Sequence, residues 1–304
     1  MDNLIIHIGY HKTATSWLQK EFFENEKLNI NSIAPYHDRA KWVTEFIKPD
    51  YSFDKQVLQE YYLQAVDKSK INVLSIERLS GYPITGGFDA IIIANRLKEL
   101  FPSAKILISI REQRSMIKSI YLEYLKVGGN AKLEELLYPK RFYLIRNPTF
   151  NLDYFKYDYL ISEYLKLFGE QNILVLPYEA LKKTPEQYIS ELSSFLGLDQ
   201  DLSLVTSSLN LKKQINTQLP LAHGYKNRLN ARIFGSECTP TRLNIPNRYK
   251  RVFNILMRLS PLNYNKRLEE EISLFIEKIP ETYYQESNAL LEKLITRDLS
   301  NYGY

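Results

Sequence analysis

Lys12, Thr13, Thr15 and Ser16 crowd together just after an apolar run from Leu4 to Ile8 that stops at Gly9. The run predicts a buried strand, Tyr10 to Ala14 a polar loop, and Thr15 to Glu24 a helix with Leu18 and Phe22 on one face. A strand that enters a helix through a small-residue loop aims backbone N–H groups and the positive end of the helix dipole at one point, which suits a phosphate. Lys12 adds a mobile cation there, and the three hydroxyls add donors. The stretch is not a Walker A loop: Lys12 comes early in the loop instead of beside the helix, and no second glycine precedes it. A second anion-gripping set follows a later apolar run, Lys105 to Ile110. Arg111 stands just past that run, and Ser119 lies eight residues on, inside the next helical stretch. An Arg holds a phosphate through two charge-assisted hydrogen bonds, and a nearby serine can donate a third. Each set, taken alone, also suits an ordinary strand–turn–helix or a surface-polar helix.

Together the two sets resemble the sulfotransferases. Gly9 to Trp17 is similar to that family's 5′-phosphosulfate loop, roughly x-P-K-[ST]-G-[TS]-[TS]-W, with matches at Lys12, Thr13, Thr15, Ser16 and Trp17. His11 stands where proline is usual and Ala14 where glycine is usual. If that position needs a positive φ, Ala14 costs about 1 kcal/mol. The Arg111–Ser119 spacing is similar to the family's 3′-phosphate site. The segment from Val175 to Lys182, V-L-P-Y-E-A-L-K, is similar to the family's strand that runs into a Tyr-Glu-x-Leu turn.

The resemblance implies a parallel α/β sheet flanked by helices on both faces, of the P-loop-like nucleotide-binding type. It implies transfer of a sulfuryl group from 3′-phosphoadenosine 5′-phosphosulfate (PAPS) to a hydroxyl, leaving adenosine 3′,5′-bisphosphate (PAP). The acceptor expected by analogy is a sugar of a glycan or glycolipid. Lys12 would meet the bridging oxygen on which charge grows, and Thr13, Ala14, Thr15 and Ser16 would hold the 5′-phosphate. Trp17 and Tyr178 would meet the adenine, although Trp17 also fits a core aromatic. Arg111 and Ser119 would hold the 3′-phosphate. For the base there are two candidates. Glu77 ends the buried strand at Asn72 to Glu77, and its carboxylate, shielded from water, is expected to have a raised pKa; a salt bridge with Arg78 or Arg111 is its structural alternative. His11 is the second candidate. No Asp- or His-rich cluster has metal-ligand spacing, so no metal is expected, and His7, His37 and His223 read as structural or solvated.

Two other readings compete. A P-loop kinase or NTPase would need Mg²⁺ and a Walker A lysine. A nucleic-acid binder would use the basic charge and the aromatics, but these follow helical spacing more than they interleave with Lys and Arg. The 304 residues carry 40 Lys and Arg against 35 Asp and Glu, a net +5 that favours an anionic ligand without demanding nucleic acid. One cysteine, Cys238, rules out an internal disulfide. No basic leader precedes Leu4, and no apolar run approaches the ~20 residues of a membrane span. A cytoplasmic chain without a transmembrane segment is expected.

The rest of the sequence must position these residues. A short strand is predicted within 29–35 and buried strands at 72–77, 105–110 and 172–176. Helices are expected at 38–47, 53–69, 113–127 and 152–168, with one from an Asp89 cap to Phe101 and one from Pro185 to Gly197. Buried strands separated by helices make a parallel sheet, whose ligands gather at the strands' carboxyl ends. The expectation is one domain: a nucleotide-binding core at 1–199, and an irregular and helical part at 200–304 over the active-site face. Leu204 to Pro246 reads as irregular, with Lys212, Lys213, Lys226, Arg228 and Arg232 as a basic set. Helices follow at 248–259, 268–279 and 283–299.

Overall fold

A computed structural model of the chain describes residues 3–137, 149–211, 220–236, 245–246, 248–260 and 262–304; Lys212, Lys213 and Cys238 lie outside them. In chain order the elements are β1 (Leu4–His7), α1 (Thr15–Trp17), β2 (Ile30–Ser32), α2 (Arg39–Phe46), α3 (Lys55–Ala65), β3 (Ile71–Ser75), α4 (Ala90–Leu100), β4 (Lys105–Ile110) and α5 (Gln113–Lys126). Next come α6 (Leu133–Leu137), α7 (Tyr157–Phe168), β5 (Ile173–Pro177), α8 (Tyr178–Lys183), α9 (Pro185–Leu196) and α10 (Leu202–Ser208). The chain closes with α11 (Leu221–Phe234), α12 (Arg248–Leu259), α13 (Tyr264–Glu277) and α14 (Gln285–Ile295).

The described chain divides into two compact units. The first holds residues 1–113, 152–216 and 284–304; the second holds 114–151 and 217–283. In the first, the five strands form one all-parallel sheet in the order β2-β3-β1-β4-β5. The apolar runs are buried on both faces, as such a sheet requires. Ile5, Val73, Leu107 and Leu176 meet Trp17, Leu18, Phe22, Tyr188, Ile189 and Leu192 of the helices on one side. On the other, α7 packs on β4 and β5 and is flanked by α4 and α14. Each fully buried Leu or Ile here contributes about 2 kcal/mol. The parallel α/β sheet with helices on both faces matches the sequence reading.

His7 sits at the end of β1 with its ring fully buried. Nδ1 lies 2.8 Å from the Ser75 hydroxyl on β3 and Nε2 3.1 Å from the Ser109 hydroxyl on β4. This is the structural histidine the sequence reading expects. Burial pulls its pKa down to about 4, opposed by the Glu77 charge and helped by Arg39. An unfolded chain binds this proton near pH 6.5 and the folded one only near pH 4. The stability it confers is therefore complete above pH 6.5 and lost progressively as pH falls from there toward 4. Denaturant melts should lose about 2 kcal/mol more between pH 7 and pH 5 in the parent than in His7→Gln.

Several local expectations are corrected. Asp89 makes no capping bond to α4; its carboxylate is taken by the Arg78 guanidinium. The helix expected at 152–168 is a tight turn, Leu152–Phe155, followed by α7. After Trp17 the first helix widens into a π-type stretch, Leu18–Phe23. Residues 204–246 are not irregular throughout, because α10 runs into that region and α11 lies within it.

In the second unit Arg228 on α11 is buried. It donates to the Tyr121 hydroxyl at 2.7 Å and forms a two-pronged ion pair with Glu271 of α13. Arg232 donates to the Asn130 carbonyl and to Glu135. These two members of the basic set are thus structural links, whereas Lys226 lies over the Tyr264 ring and beside a polar cavity of about 600 Å³.

Candidate active site

Strand order places the site. β1 leads away toward β2 on one side of the sheet and β4 toward β5 on the other, so the crevice between the ends of β1 and β4 is the switch point at which such sheets take ligands. The two candidate anion grips follow these two strands. Pairing continues past His7, with Ile8 N–H donating to the Leu107 carbonyl and Tyr10 N–H to the Ser109 carbonyl at 2.7 Å. The loop then turns sharply. Gly9, Lys12 and Ala14 all have left-handed backbones, at φ 46°, 66° and 62°. The Thr13 hydroxyl is turned inward and donates to the Tyr10 carbonyl at 2.6 Å, locking the turn.

Ala14 therefore occupies the left-handed position that glycine fills without strain, and it is the residue from which α1 starts. Ala14→Gly should raise stability by about 0.5 kcal/mol in denaturant melts, the relief of strain being partly offset by the lost methyl and a freer unfolded chain.

Arg111 leaves β4 and reaches back across the crevice. Its Nη1 donates to the Lys12 carbonyl at 3.1 Å, and its guanidinium lies 5.0 Å from the Tyr178 ring centre. Its own carbonyl accepts from the Tyr157 hydroxyl at 2.7 Å, and Tyr157 stacks edgewise on Tyr10 under the loop. Lys182 lies over the Tyr178 ring as well, at 4.4 Å. Thus Lys12, Arg111 and Tyr178 share one neighbourhood. Trp17 is in the core, 6% exposed, with its indole N–H donated to the Asn210 carbonyl at 3.1 Å. Ser119 is buried on α5, in the second unit.

Glu77 follows β3 and opens a short turn, Glu77–Ser80. It is not paired through Arg78, which holds Asp89. Its Oε2 accepts from Gln19 Nε2 at 3.3 Å, and Gln19 Oε1 accepts from Arg39 Nη1 at 2.6 Å. The expectation of a raised Glu77 pKa is corrected. Burial does push the carboxyl up, but His11, its own backbone N–H, the Gln19 amide and the Arg39 charge outweigh it and hold it below the ordinary carboxylate range. His11 is pulled down to about 4, chiefly by burial, against the Glu77 charge. Its ring hydrogen-bonds the Gly81 backbone, while Nε2 is buried without a partner. With the other nitrogen donating its proton to the Gly81 carbonyl, Nε2 carries the free lone pair. At neutral pH the pair is a carboxylate beside a neutral imidazole.

Gln19 and Arg39, joined by hydrogen bonds to the candidate base Glu77, are what sequence reasoning missed. The available signal was that Gln19, next to Leu18 and three residues before Phe22, falls on the helix face that carries both. Gln19 is buried and also donates to the Ser75 carbonyl. Among the described residues no three His, Cys, Asp or Glu side chains are grouped to hold a metal ion, and no helix is long and apolar enough to cross a membrane.

Comparison with known proteins adds the family and the fold. The family model described as Sulfotransferase domain matches residues 2–219. A sulfotransferase from Alicyclobacillus acidocaldarius superposes with a TM-score of 0.57 at 18% identity, covering 100% of this chain and 99% of its own. Mouse sulfotransferase SULT7A1, solved in complex with PAP, gives a TM-score of 0.40 at 15% identity over 96% of this chain and 89% of its own. No curated protein matches at a significant level. The likeness to the Alicyclobacillus structure shows a shared fold, and the family match sets aside the kinase and nucleic-acid readings. By the domain spanning residues 2–219, the chain belongs to the sulfotransferase family.

Proposed function

We propose that this sulfotransferase uses PAPS as its donor and an acceptor hydroxyl on a carbohydrate or glycolipid. The observation that carries the donor assignment is the Arg111 guanidinium at 3.1 Å from the Lys12 carbonyl, which sets two anion grips on either side of one crevice. The residues fit the nucleotide. The left-handed turns at Lys12 and Ala14 make a concave backbone before the helix, a shape that suits a phosphate. Ser16 and Thr15 add hydroxyls on α1, Arg111 takes the 3′-phosphate, and Tyr178 offers a ring for the adenine.

PAPS supplies an activated sulfur: the acceptor oxygen bonds to it as the bond to the bridging phosphate oxygen breaks, and PAP departs with that electron pair. Lys12 meets the charge growing on the bridging oxygen and so favours the transition state over the ground state. The acceptor's proton goes to the Glu77–His11 pair. Glu77 is the member already ionised, and the Gln19 amide with the Arg39 charge behind it fixes its direction. His11 presents the unpartnered Nε2 beside it. No step needs a metal.

Thermal shift tests the donor. PAP without Mg²⁺ should raise the melting temperature, with ATP much weaker and DNA without effect. Stabilisation by Mg²⁺–ATP alone would contradict the assignment. The acceptor class is tested by supplying labelled PAPS with a panel of glycans and small alcohols, where the glycans should take the label.

A further inference from the structure

The charge of this chain is unevenly placed. Residues 202–268 carry twelve Lys and Arg against the single Glu237, while the rest of the chain carries 34 acids against 28 bases. Within the basic region is α12, R-Y-K-R-V-F-N-I-L-M-R-L, with four basic residues and no acid. Its apolar residues are on the wrong side for a core helix. Tyr249, Val252, Ile255, Leu256 and Leu259 are exposed, Leu259 at 76%. Spaced at three and four, they form one arc about 120° wide. The opposite side carries Met257, which is buried, and Phe253 and Asn254, which are half-buried. Arg251 borders the arc and is exposed, as are Arg248 and Lys250.

We propose that α12 docks the protein on an anionic lipid surface, lying in the plane of the interface with the Tyr249–Leu259 arc in the acyl boundary and Arg248 and Arg251 among the headgroups. Three features choose this occupant. A strong apolar arc on a helix of low mean hydropathy, flanked by Lys and Arg, is the pattern of interfacial helices. The complementary charge is negative, and a second copy would bring its own Arg248 and Arg251 against this pair, so self-pairing through this face is opposed. Twelve residues span only about 18 Å, enough to lie on a bilayer and too short to cross it. Lipid-bound acceptors would then be met at the surface that holds them, although the docking does not depend on the donor assignment.

The test is co-sedimentation of the full chain with vesicles of phosphatidylcholine alone or with about one-third phosphatidylglycerol. The parent should bind the anionic vesicles, release as salt rises, and ignore the neutral ones. The combined Val252→Ser, Leu256→Ser and Leu259→Ser variant should bind at least about tenfold more weakly, and Arg251→Glu should weaken binding as well. Because these side chains are exposed, melting temperature and the PAP-induced shift should be unchanged in both. Equal binding by the serine variant, indifference of the parent to anionic vesicles, or a parent dimer that the serine variant dissociates would each overturn the proposal.

Discussion

Lys12→Ala is expected to lower turnover with PAPS by at least about a hundredfold while leaving the melting temperature nearly unchanged. Lys12 has a left-handed backbone, and alanine keeps the same Cβ, so the strain of the loop is the same before and after substitution. Two bonds that hold the loop survive the substitution: Thr13 to the Tyr10 carbonyl, and Arg111 to the carbonyl of residue 12, which alanine retains. What the variant loses, on the proposed mechanism, is the ammonium that meets charge on the departing oxygen. That charge grows mainly in the transition state, so kcat should fall much more than affinity for PAP. Steady-state kinetics with a calorimetric measurement of PAP binding separates the two. A matching collapse of both would instead assign Lys12 to ground-state binding.

The second large effect is at Glu77. Glu77→Gln keeps the shape and can still meet the Gln19 amide after rotation, so the fold should survive, yet turnover should fall at least about a hundredfold. The pH profile identifies the ionising group. Glu77 is held below the ordinary carboxylate range and His11 at about 4. Both are therefore in their proton-accepting forms from about pH 5 upward, and kcat/KM should be level between pH 5 and 8 and decline only below that. A limb centred near pH 6.5 would mean an unperturbed histidine and would contradict the buried pair. Near-normal turnover in Glu77→Gln would move the base role to His11 or to the acceptor itself.

The sheet was legible because its information is local. Apolar runs such as Leu4–His7 and Lys105–Ile110 declare buried strands wherever they occur, and Arg111 follows directly from where β4 must end. The loop was legible for the same reason, down to the suspicion that Ala14 occupies a position meant for glycine. Other features depend on residues far apart in the chain. The Glu77 pKa answers to its burial and to His11 first, and then to Gln19 and Arg39, 58 and 38 positions earlier, and no periodicity links them. Asp89 looked like a cap because it precedes an apolar run, but a guanidinium eleven residues away competes better for it. Helix α11 was invisible because its buried side is built from Gly224, Arg228 and Ala231. Close approach and an ion pair hold it in place of the large apolar side chains that make a helical period readable.

The central claim is that two anion grips on one crevice hold opposite ends of the same nucleotide. Calorimetric titration of the parent and Arg111→Ala with PAP and with 5′-AMP, which lacks the 3′-phosphate, tests it most directly. The grips predict that Arg111→Ala loses about thirtyfold or more for PAP and less than about threefold for AMP. Equal losses for the two ligands, or none for either, would contradict it.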